Sequence, residues 1–123
     1  MIKTCIFIGC GGALGAIVRY GISMWLNPKE GFPYGTLCAN TIGCFLLGFI
    51  SVYLFHRIDP HWRIFISTGF LGALTTFSTF SIETVQFALR AQWKLAVIYL
   101  FAQVVLGLLM GFFGIRIAQS WVF

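Results

Sequence analysis

Four long apolar segments constrain the fold of this chain more than any other feature, because each is long enough to cross a lipid bilayer. A membrane-spanning helix needs about 20 apolar residues, and four stretches qualify, at about 4–26, 35–55, 62–90 and 94–118. The chain is 59% hydrophobic and only 9% charged, whereas soluble domains are about 25% charged. These patterns predict an all-α integral membrane protein in which residues 1–123 form a single four-span domain.

Short polar connections separate the predicted spans and leave almost no mass outside the membrane. They contain NPKEGFP at 27–33, HRIDPHWR at 56–63 and RAQWK at 90–94. Tryptophans lie near predicted span ends, as in the aromatic belt of membrane interfaces; they are Trp25, Trp62, Trp93 and Trp121. We likewise expect His56 and His61 to be interfacial. Because no extramembrane catalytic domain fits into such connections, the sequence predicts that the protein is not an enzyme.

The basic residues of the connections are divided almost evenly between the two sides of the membrane. The N-terminus, second connection and C-terminus carry Lys3, Arg57, Arg63 and Arg116, whereas the first and third connections carry Lys29, Arg90 and Lys94. An excess of Lys and Arg on one side orients a membrane protein, and four against three gives almost no bias. The sequence therefore permits both orientations and an antiparallel dual-topology homodimer. Such scattered charges predict no nucleic-acid partner.

Small residues recur every four positions in three of the predicted spans, where they allow helix backbones to approach closely. The rows are Gly11 with Gly15, Gly35 with Ala39 and Gly43, and Gly107 with Gly111. Each row fits packing within one chain as well as a seam between two chains. Three rows in four spans indicate that both kinds of packing occur.

Two polar side chains lie inside the first and second predicted spans. Arg19 is placed where a charge is costly, so it either extends to the interface along its long side chain or attracts an anion within the protein. Asn40 shares a helix face with Thr36 and Gly43, and its amide can both donate and accept hydrogen bonds. It forms either an interhelical hydrogen bond or a donor in a pore, where Gly43 leaves a narrow passage.

The third predicted span contains GFLGALTTFSTFSIE at 69–83, in which glycine and hydroxyl residues weaken a helix. We therefore predict a break between Gly72 and Thr76. Backbone freed at membrane depth needs protein or a ligand around it, and free carbonyls suit a small cation. Beyond the break, polar residues follow at helical spacing along one stripe: Thr76, Thr79, Glu83 and Gln86.

Phe77 and Phe80 form a second stripe beside these polar residues, and Phe87 continues it. A phenylalanine pair three residues apart is ordinary packing in most helices. The edge of an aromatic ring, however, is the positive part of its quadrupole. Beside a row of hydroxyl groups, the two ring edges are therefore also suited to face an anion.

Three motifs, in this order, resemble the CrcB/Fluc family of fluoride channels: GGALGAIVRY at 11–20, GTLCANTIGCFLLG at 35–48 and GFLGALTTFSTFSIE at 69–83. The resemblance covers essentially the whole chain, and the third motif is the most specific. It implies passive fluoride export across the cell (inner) membrane by an antiparallel dual-topology homodimer with two pores. It also implies one structural sodium ion at the dimer centre, bound by the backbone carbonyls of Gly72 and Thr75 from both chains.

The resemblance also implies a fluoride path by motif position. Asn40, Phe77 and Phe80 match pore-lining positions of the family, and Thr79 matches its polar track, with Thr76 on the same stripe. The embedded charged positions of the family match two further residues, Arg19 and Glu83.

The fourth span departs from the family pattern of hydroxyl or amide residues in that span. Residues 95–115 contain Tyr99 and Gln103 but no Ser or Thr. Gln103 can supply an amide donor there, and we include it in the predicted fluoride path.

Two other function classes fit a small four-span protein. A small multidrug-type proton-coupled antiporter needs an embedded carboxylate, familiarly in the first helix. The first span of this chain carries Arg19 and no acid, and Glu83 is the only acid in any predicted span. A non-transporting assembly subunit would not need an ordered polar stripe. Liposome flux measured without a proton gradient separates the three classes.

Overall fold

The computed structural model describes residues 1–55 and 57–122, which are helical with short connections and contain no strand. The elements are α1 (Ile2–Leu26), α2 (Tyr34–Tyr53), α3 (Pro60–Ile64), a π-helix (Phe65–Leu71), α4 (Gly72–Leu74), α5 (Phe77–Leu89) and α6 (Trp93–Val122). Four stretches are long and apolar enough to cross a membrane, the third running over Pro60–Leu89. The prediction of an all-helical, multi-pass membrane protein is confirmed. The expectation for His56 lies outside the described residues.

Two side chains in the connections hold the starts of the helices that follow them. Asn27 Oδ1 accepts a hydrogen bond of 2.6 Å from the backbone amide of Gly35 at the start of α2. Asp59 Oδ1 accepts one of 2.8 Å from the backbone amide of His61, and this bond lowers the pKa of the Asp59 carboxyl. Both contacts satisfy amides that a helix leaves without an internal partner at its start.

Close approach at glycines joins α2 to α6 along most of their length. The space that a Cβ on Gly114 would need is filled by the backbone carbonyl oxygen of Phe45, and that of Gly48 by the carbonyl oxygen of Gly111. Backbone-to-backbone contact of this kind needs residues without side chains on the facing surfaces. It holds α2 and α6 together as a pair in which their polar residues face each other.

The first small-residue row packs within the chain, against the π-helix. A Cβ on Gly11 would overlap the carbonyl oxygen of Phe65, and a Cβ on Gly15 would overlap that of Phe70. The second row behaves similarly, since a Cβ on Gly43 would overlap the Thr75 methyl group. These glycines therefore serve contacts inside one chain, and they bring α1 and α2 onto the third stretch.

Replacing Gly15 with alanine is expected to destabilise the protein by about 1–3 kcal/mol, because the added methyl group meets backbone atoms that cannot turn aside. Its nearest neighbours would be the carbonyl group of Phe70 and the amide nitrogen of Leu74. Gly21→Ala is the matched control in the same helix, since a Cβ there meets nothing within 4 Å. Thermal unfolding of the purified variants in detergent measures the difference. Equal melting temperatures for the two variants would contradict this packing.

The third stretch departs from α-helical conformation at two places. The sequence analysis did not predict the π-helix at Phe65–Leu71, a rare conformation often found at functional sites. After α4, the backbone is extended at Thr75 (φ −84°, ψ 150°) and at Thr76 (φ −150°, ψ 113°). Thr76 then caps the start of α5. The Thr75 amide still donates to the Leu71 carbonyl oxygen at 3.1 Å, whereas the Thr76 amide needs a partner outside the helical ladder.

Candidate functional site

Asn40 satisfies the backbone amide of Thr76, which the extended conformation leaves without a helical partner. The Thr76 amide donates to Asn40 Oδ1 at 2.7 Å. Asn40 Nδ2 in turn donates to the Thr76 carbonyl oxygen at 3.1 Å and to Gln103 Oε1 at 3.0 Å. Asn40 therefore forms interhelical hydrogen bonds, the first of the two roles considered for it. It also lines a cavity, described below, so the two roles are compatible.

The hydrogen bonds continue from Gln103 to a carboxylate. Gln103 Nε2 donates to the Tyr99 hydroxyl at 3.0 Å, and Tyr99 donates to Glu83 Oε2 at 2.6 Å. The Thr36 hydroxyl donates to Glu83 Oε1 at 2.9 Å. Each oxygen of the carboxylate thus receives a donor, which offsets the cost of placing a charged group in an apolar span. We call this chain of contacts, from Thr76 through Asn40, Gln103 and Tyr99 to Glu83, the polar relay.

Aromatic rings hold Tyr99, which is fully buried, in a fixed position within the relay. The rings of Phe80 and Phe87 lie 5.4 and 6.1 Å from the Tyr99 ring, in edge-on arrangements. Phe32 makes a third edge-on contact with it at 5.1 Å. Edge-on packing of this kind is favourable and directional. The Tyr99 hydroxyl is therefore presented at one place, between Gln103 and Glu83.

The two phenylalanines of the third motif differ sharply in burial. Phe80 is 8% exposed, whereas Phe77 is 79% exposed on the surface of the chain. Their ring centroids lie 5.6 Å apart with an interplanar angle of 69°. Phe80 is packed against Tyr99, and Phe77 projects from the middle of the third stretch with little covering it.

A cavity of about 300 Å³ collects most of the residues that the sequence analysis placed on the fluoride path. Its lining includes Asn40, Thr76, Phe77, Phe80 and Gln103. The surface of this cavity is mostly apolar, with the two carboxamides as its main polar groups. Such a site, apolar with a few placed polar groups, is typical of selective binding and passage of a small ligand.

Thr79, the remaining residue of the predicted path, lies outside this cavity. Its amide donates to Thr76 Oγ1 at 3.2 Å, and its hydroxyl accepts from Thr76 Oγ1 at 2.9 Å. It lines a second crevice of about 230 Å³ together with Arg19, and a third crevice with Glu83 and Gln86. The first residue of the predicted polar stripe, Thr76, lines the cavity beside Asn40, whereas the other residues of the stripe line crevices on another face of α5.

Arg19 is half-buried and faces the hydroxyl groups of the second crevice. Within residues 1–55 and 57–122, no carboxylate lies close enough to form an ion pair with it. A cation in an apolar span without an acidic partner remains attractive to an anion. Of its two predicted roles, this position fits anion attraction, which stays a prediction.

A fourth crevice, of about 200 Å³, opens at the end of α5 near the first connection. Glu83 and Gln86 line its inner part, and Lys29, Glu30 and Arg90 line its outer part. Glu83 and Gln86 border the third crevice as well. The polar stripe therefore continues from the middle of the third stretch to the first connection, at the membrane interface.

The carbonyl groups of Gly72 and Thr75 lose the partners that a continuous helix would give them. The Thr76 amide, which would donate to Gly72, donates to Asn40 instead. The Thr79 amide, which would donate to Thr75, donates to the Thr76 hydroxyl. Both carbonyl oxygens are thereby released for another ligand. In the described part of the chain no three His, Cys, Asp or Glu side chains cluster closely enough to hold a metal ion.

Comparison with known proteins identifies the family. Residues 6–115 match the family model described as CrcB-like protein, Camphor Resistance (CrcB). The chain belongs to the CrcB family. The CrcB match includes most of α1, all of α2 and the third stretch, and most of α6, so every residue of the polar relay lies within it.

Relatives of this CrcB chain carry a functional name. A protein of Acidobacterium capsulatum named fluoride-specific ion channel FluC is 43% identical over 121 residues, which are 95% of this chain and 97% of that protein. Similarly named proteins of Pyrococcus abyssi and Oceanobacillus iheyensis are 40% and 36% identical. Those alignments cover 96% and 94% of this chain, and 98% and 92% of the relatives.

The sequence did not reveal that Tyr99 and Thr36 donate hydrogen bonds to Glu83 in this CrcB chain. Tyr99 and Gln103 lie four residues apart on α6, and Thr36 and Asn40 lie four apart on α2. Polar residues at this spacing share a helix face. Two such pairs in otherwise apolar spans indicate that each helix has a polar face, and from this the contact between the polar faces of α2 and α6 could have been predicted.

Proposed function

We propose that this protein is a fluoride-selective ion channel that exports fluoride passively and lowers its concentration in the cytoplasm. One observation carries this proposal: the amides of Asn40 and Gln103 and the ring of Phe80 line one cavity in a chain whose near full-length relatives are named fluoride-specific channels. The membrane concerned is the cell (inner) membrane.

The physical properties of fluoride fit this lining. Fluoride is a compact, strongly hydrated anion, so a pore has to replace its water with donors that fit closely. Carboxamide protons from α2 and α6 and the positive edges of aromatic rings supply such groups. Chloride is larger and gains less from a narrow set of donors. The lining therefore favours fluoride by hydrogen bonding and by size.

The antiporter considered from the sequence receives less support. Its working group would have to be Glu83, and both oxygens of that carboxylate already accept hydrogen bonds, from Thr36 and from Tyr99. The relatives are also named as channels.

Fluoride efflux from liposomes containing the purified protein tests the proposed function. We expect efflux without a proton gradient once a potassium ionophore balances the charge. Flux that needs a proton gradient would indicate an antiporter, and no flux would indicate an assembly subunit. Either result would overturn the proposal.

The working assembly is, in this proposal, an antiparallel dual-topology homodimer. Phe77 is 79% exposed in the middle of a membrane-crossing stretch, and Gly72, three residues before the cavity-lining Thr75, is exposed as well. Both lie next to the polar groups that line the path, where lipid would be a poor neighbour. A second copy of the chain in the opposite orientation would cover this face, and the even distribution of basic residues permits that orientation.

Phe77 and Phe80 act on conduction in this proposal, and replacing either with isoleucine is expected to lower fluoride flux by about tenfold. Isoleucine keeps most of the volume but removes the ring edge. Phe112→Ile on the exposed face of α6 is the matched control and should leave flux unchanged. Size-exclusion chromatography reports assembly beside the flux assay. If the dimer is lost in both variants, the pair serves packing and the prediction is wrong.

In this proposal, the interruption of the third stretch forms a structural sodium site at the dimer centre. The released carbonyl oxygens of Gly72 and Thr75 from two chains would give four neutral oxygen ligands. Oxygen ligands without a carboxylate suit a monovalent cation better than a divalent one. The fit of the donor set is supported by the hydrogen bonds that take the amides of Thr76 and Thr79 elsewhere. When bound, the ion would supply a fixed positive charge that compensates the partial negative charges of these carbonyl oxygens.

Exchange of sodium for N-methylglucamine is expected to lower both dimer stability and fluoride flux. A ligand present at 100 times its Kd stabilises by about 2.7 kcal/mol, which a melting experiment detects. Thr75→Ser should be nearly silent, because the ligand is a backbone atom and serine retains the hydroxyl that donates to the Leu71 carbonyl oxygen. A bulky residue at Gly72 should weaken the dimer. If neither stability nor flux responds after long exchange, the sodium site is wrong.

A further inference from the structure

The carboxamide of Gln103 has two ends that are alike in shape but opposite in hydrogen-bonding character. Its oxygen accepts from Asn40 at 3.0 Å, and its nitrogen donates to Tyr99 at 3.0 Å. The direction of the relay is set by the Thr76 amide, which can only donate and therefore fixes Oδ1 of Asn40 toward itself. Asn40 must then present its nitrogen to Gln103.

In this arrangement neither carboxamide presents a free proton at the place where the two side chains meet. Both protons on Asn40 Nδ2 are taken, one by the Thr76 carbonyl and one by Gln103. The group of Gln103 nearest to Asn40 is an oxygen, which repels an anion. Yet Asn40 and Gln103 line the same cavity. An anion between Asn40 and Gln103 therefore receives a donor from both side chains only if the relay rearranges.

The Tyr99 hydroxyl makes such a rearrangement possible, because it can accept or donate. At present it accepts from Gln103 and donates to Glu83. If the carboxamide were reversed, the hydroxyl would still reach it, now as a donor to its oxygen. Glu83 would retain the Thr36 hydroxyl as a partner. Since Tyr99 is fully buried and held by three aromatic rings, its oxygen stays in place in both arrangements.

We propose that fluoride entering the cavity turns the Gln103 carboxamide by half a turn, so that Gln103 and Asn40 both donate to the ion. This inference rests on the proposed function, since it describes how the same path admits its ion. The number of hydrogen bonds is conserved: three link the four side chains before the turn, and afterwards two reach the ion and one joins Tyr99 to Gln103. Bonds to an ion are stronger than neutral ones, whereas without an ion the two amide nitrogens would face each other as unpaired donors. Fluoride thus creates its own two-donor site, and Glu83 keeps one of its two donors, the Thr36 hydroxyl.

Side-chain amide resonances of protein labelled with 15N-glutamine test this turn directly. The chain has four glutamines, Gln86, Gln92, Gln103 and Gln119. The Gln103 signal is the one that persists in each of the variants Q86M, Q92M and Q119M. We expect fluoride to shift this signal in the wild-type dimer in liposomes and chloride at equal concentration to leave it unchanged. If the protein conducts fluoride but the Gln103 signal does not shift, the proposed rotation of the carboxamide is wrong. If the protein conducts no fluoride, the proposed function is wrong instead.

Fluoride flux through the variant Gln103→Met is an independent test of the proposed rotation. Methionine matches the length of the side chain but cannot donate, so we expect fluoride flux to fall about 10- to 100-fold, the value of one hydrogen bond to an ion. Gln92→Met is the matched control, because Gln92 is exposed in the third connection, and it should conduct like the wild type. Unchanged or increased flux in Gln103→Met would overturn the proposal.

Discussion

Replacing Asn40 with aspartate is expected to reduce fluoride flux at least about 100-fold. The carboxylate can still accept from the Thr76 amide, but it loses the two donors that reach the Thr76 carbonyl and Gln103. It also places a negative charge beside the cavity, and a charge at membrane depth costs about 2.5–3.5 kcal/mol on insertion scales. A fluoride ion that enters the cavity is thus repelled by the carboxylate and finds no donor on this residue. Stopped-flow or electrode-detected efflux from liposomes measures the loss.

Asn27→Asp is the matched control, because it makes the same chemical change in a connection. Asn27 acts as an acceptor for the Gly35 amide, a role that aspartate keeps, and its charge would lie at the interface, where salt screens it. We expect flux within about threefold of the wild type. Asn40→Ala should be assayed beside it, since it removes the donors without adding charge. Wild-type flux in Asn40→Asp or in Asn40→Ala would contradict a donor role for Asn40.

Fixing the chain in one orientation is expected to abolish conduction altogether. The variant Glu30→Lys, Gln92→Lys, Arg57→Gln carries five basic residues on the side of the first and third connections against three on the other. The variant Gln119→Lys, Ser120→Lys carries six on the opposite side against three. Each count is large enough to favour a single orientation. An antiparallel dimer cannot form from chains that all point the same way, so each variant expressed alone should yield no fluoride flux.

Co-expression of the two variants supplies the control, because the oppositely fixed chains can pair with each other. Flux should return to near the wild-type level, which also shows that the loop substitutions themselves do no harm. A reporter fused to the C-terminus should lie on both sides of the membrane for the wild type and on one side for each variant. Full conduction by either variant alone, with its reporter on a single side, would contradict the antiparallel dimer.

The all-helical fold with four membrane-crossing stretches was predictable because length and hydropathy decide that class of structure. The confirmed family also followed from residues in order along the chain, above all GFLGALTTFSTFSIE. The π-helix at Phe65–Leu71 was not predictable. It depends on the backbone of α1 approaching at Gly11 and Gly15, and this contact is between segments far apart in the sequence.

In the candidate site, too, the residue types were predictable from the sequence, whereas the contacts between helices were not. Asn40, Phe80 and Gln103 were placed on the path from motif and residue type, and the structure brings them to one cavity. The contrast between exposed Phe77 and buried Phe80 depends on which side of α5 the α2–α6 pair occupies. The relay through Tyr99 depends on side chains of three helices meeting at one point, which spacing within each helix does not specify.

The most direct test of the central claim is the reversal potential of the purified protein in a planar bilayer. With fluoride concentrated on one side and chloride on the other, the pH being equal, a fluoride-selective channel should carry a current that reverses at the equilibrium potential of fluoride. A reversal potential near that of chloride, one that follows an imposed proton gradient, or no current at all would contradict passive fluoride-selective conduction.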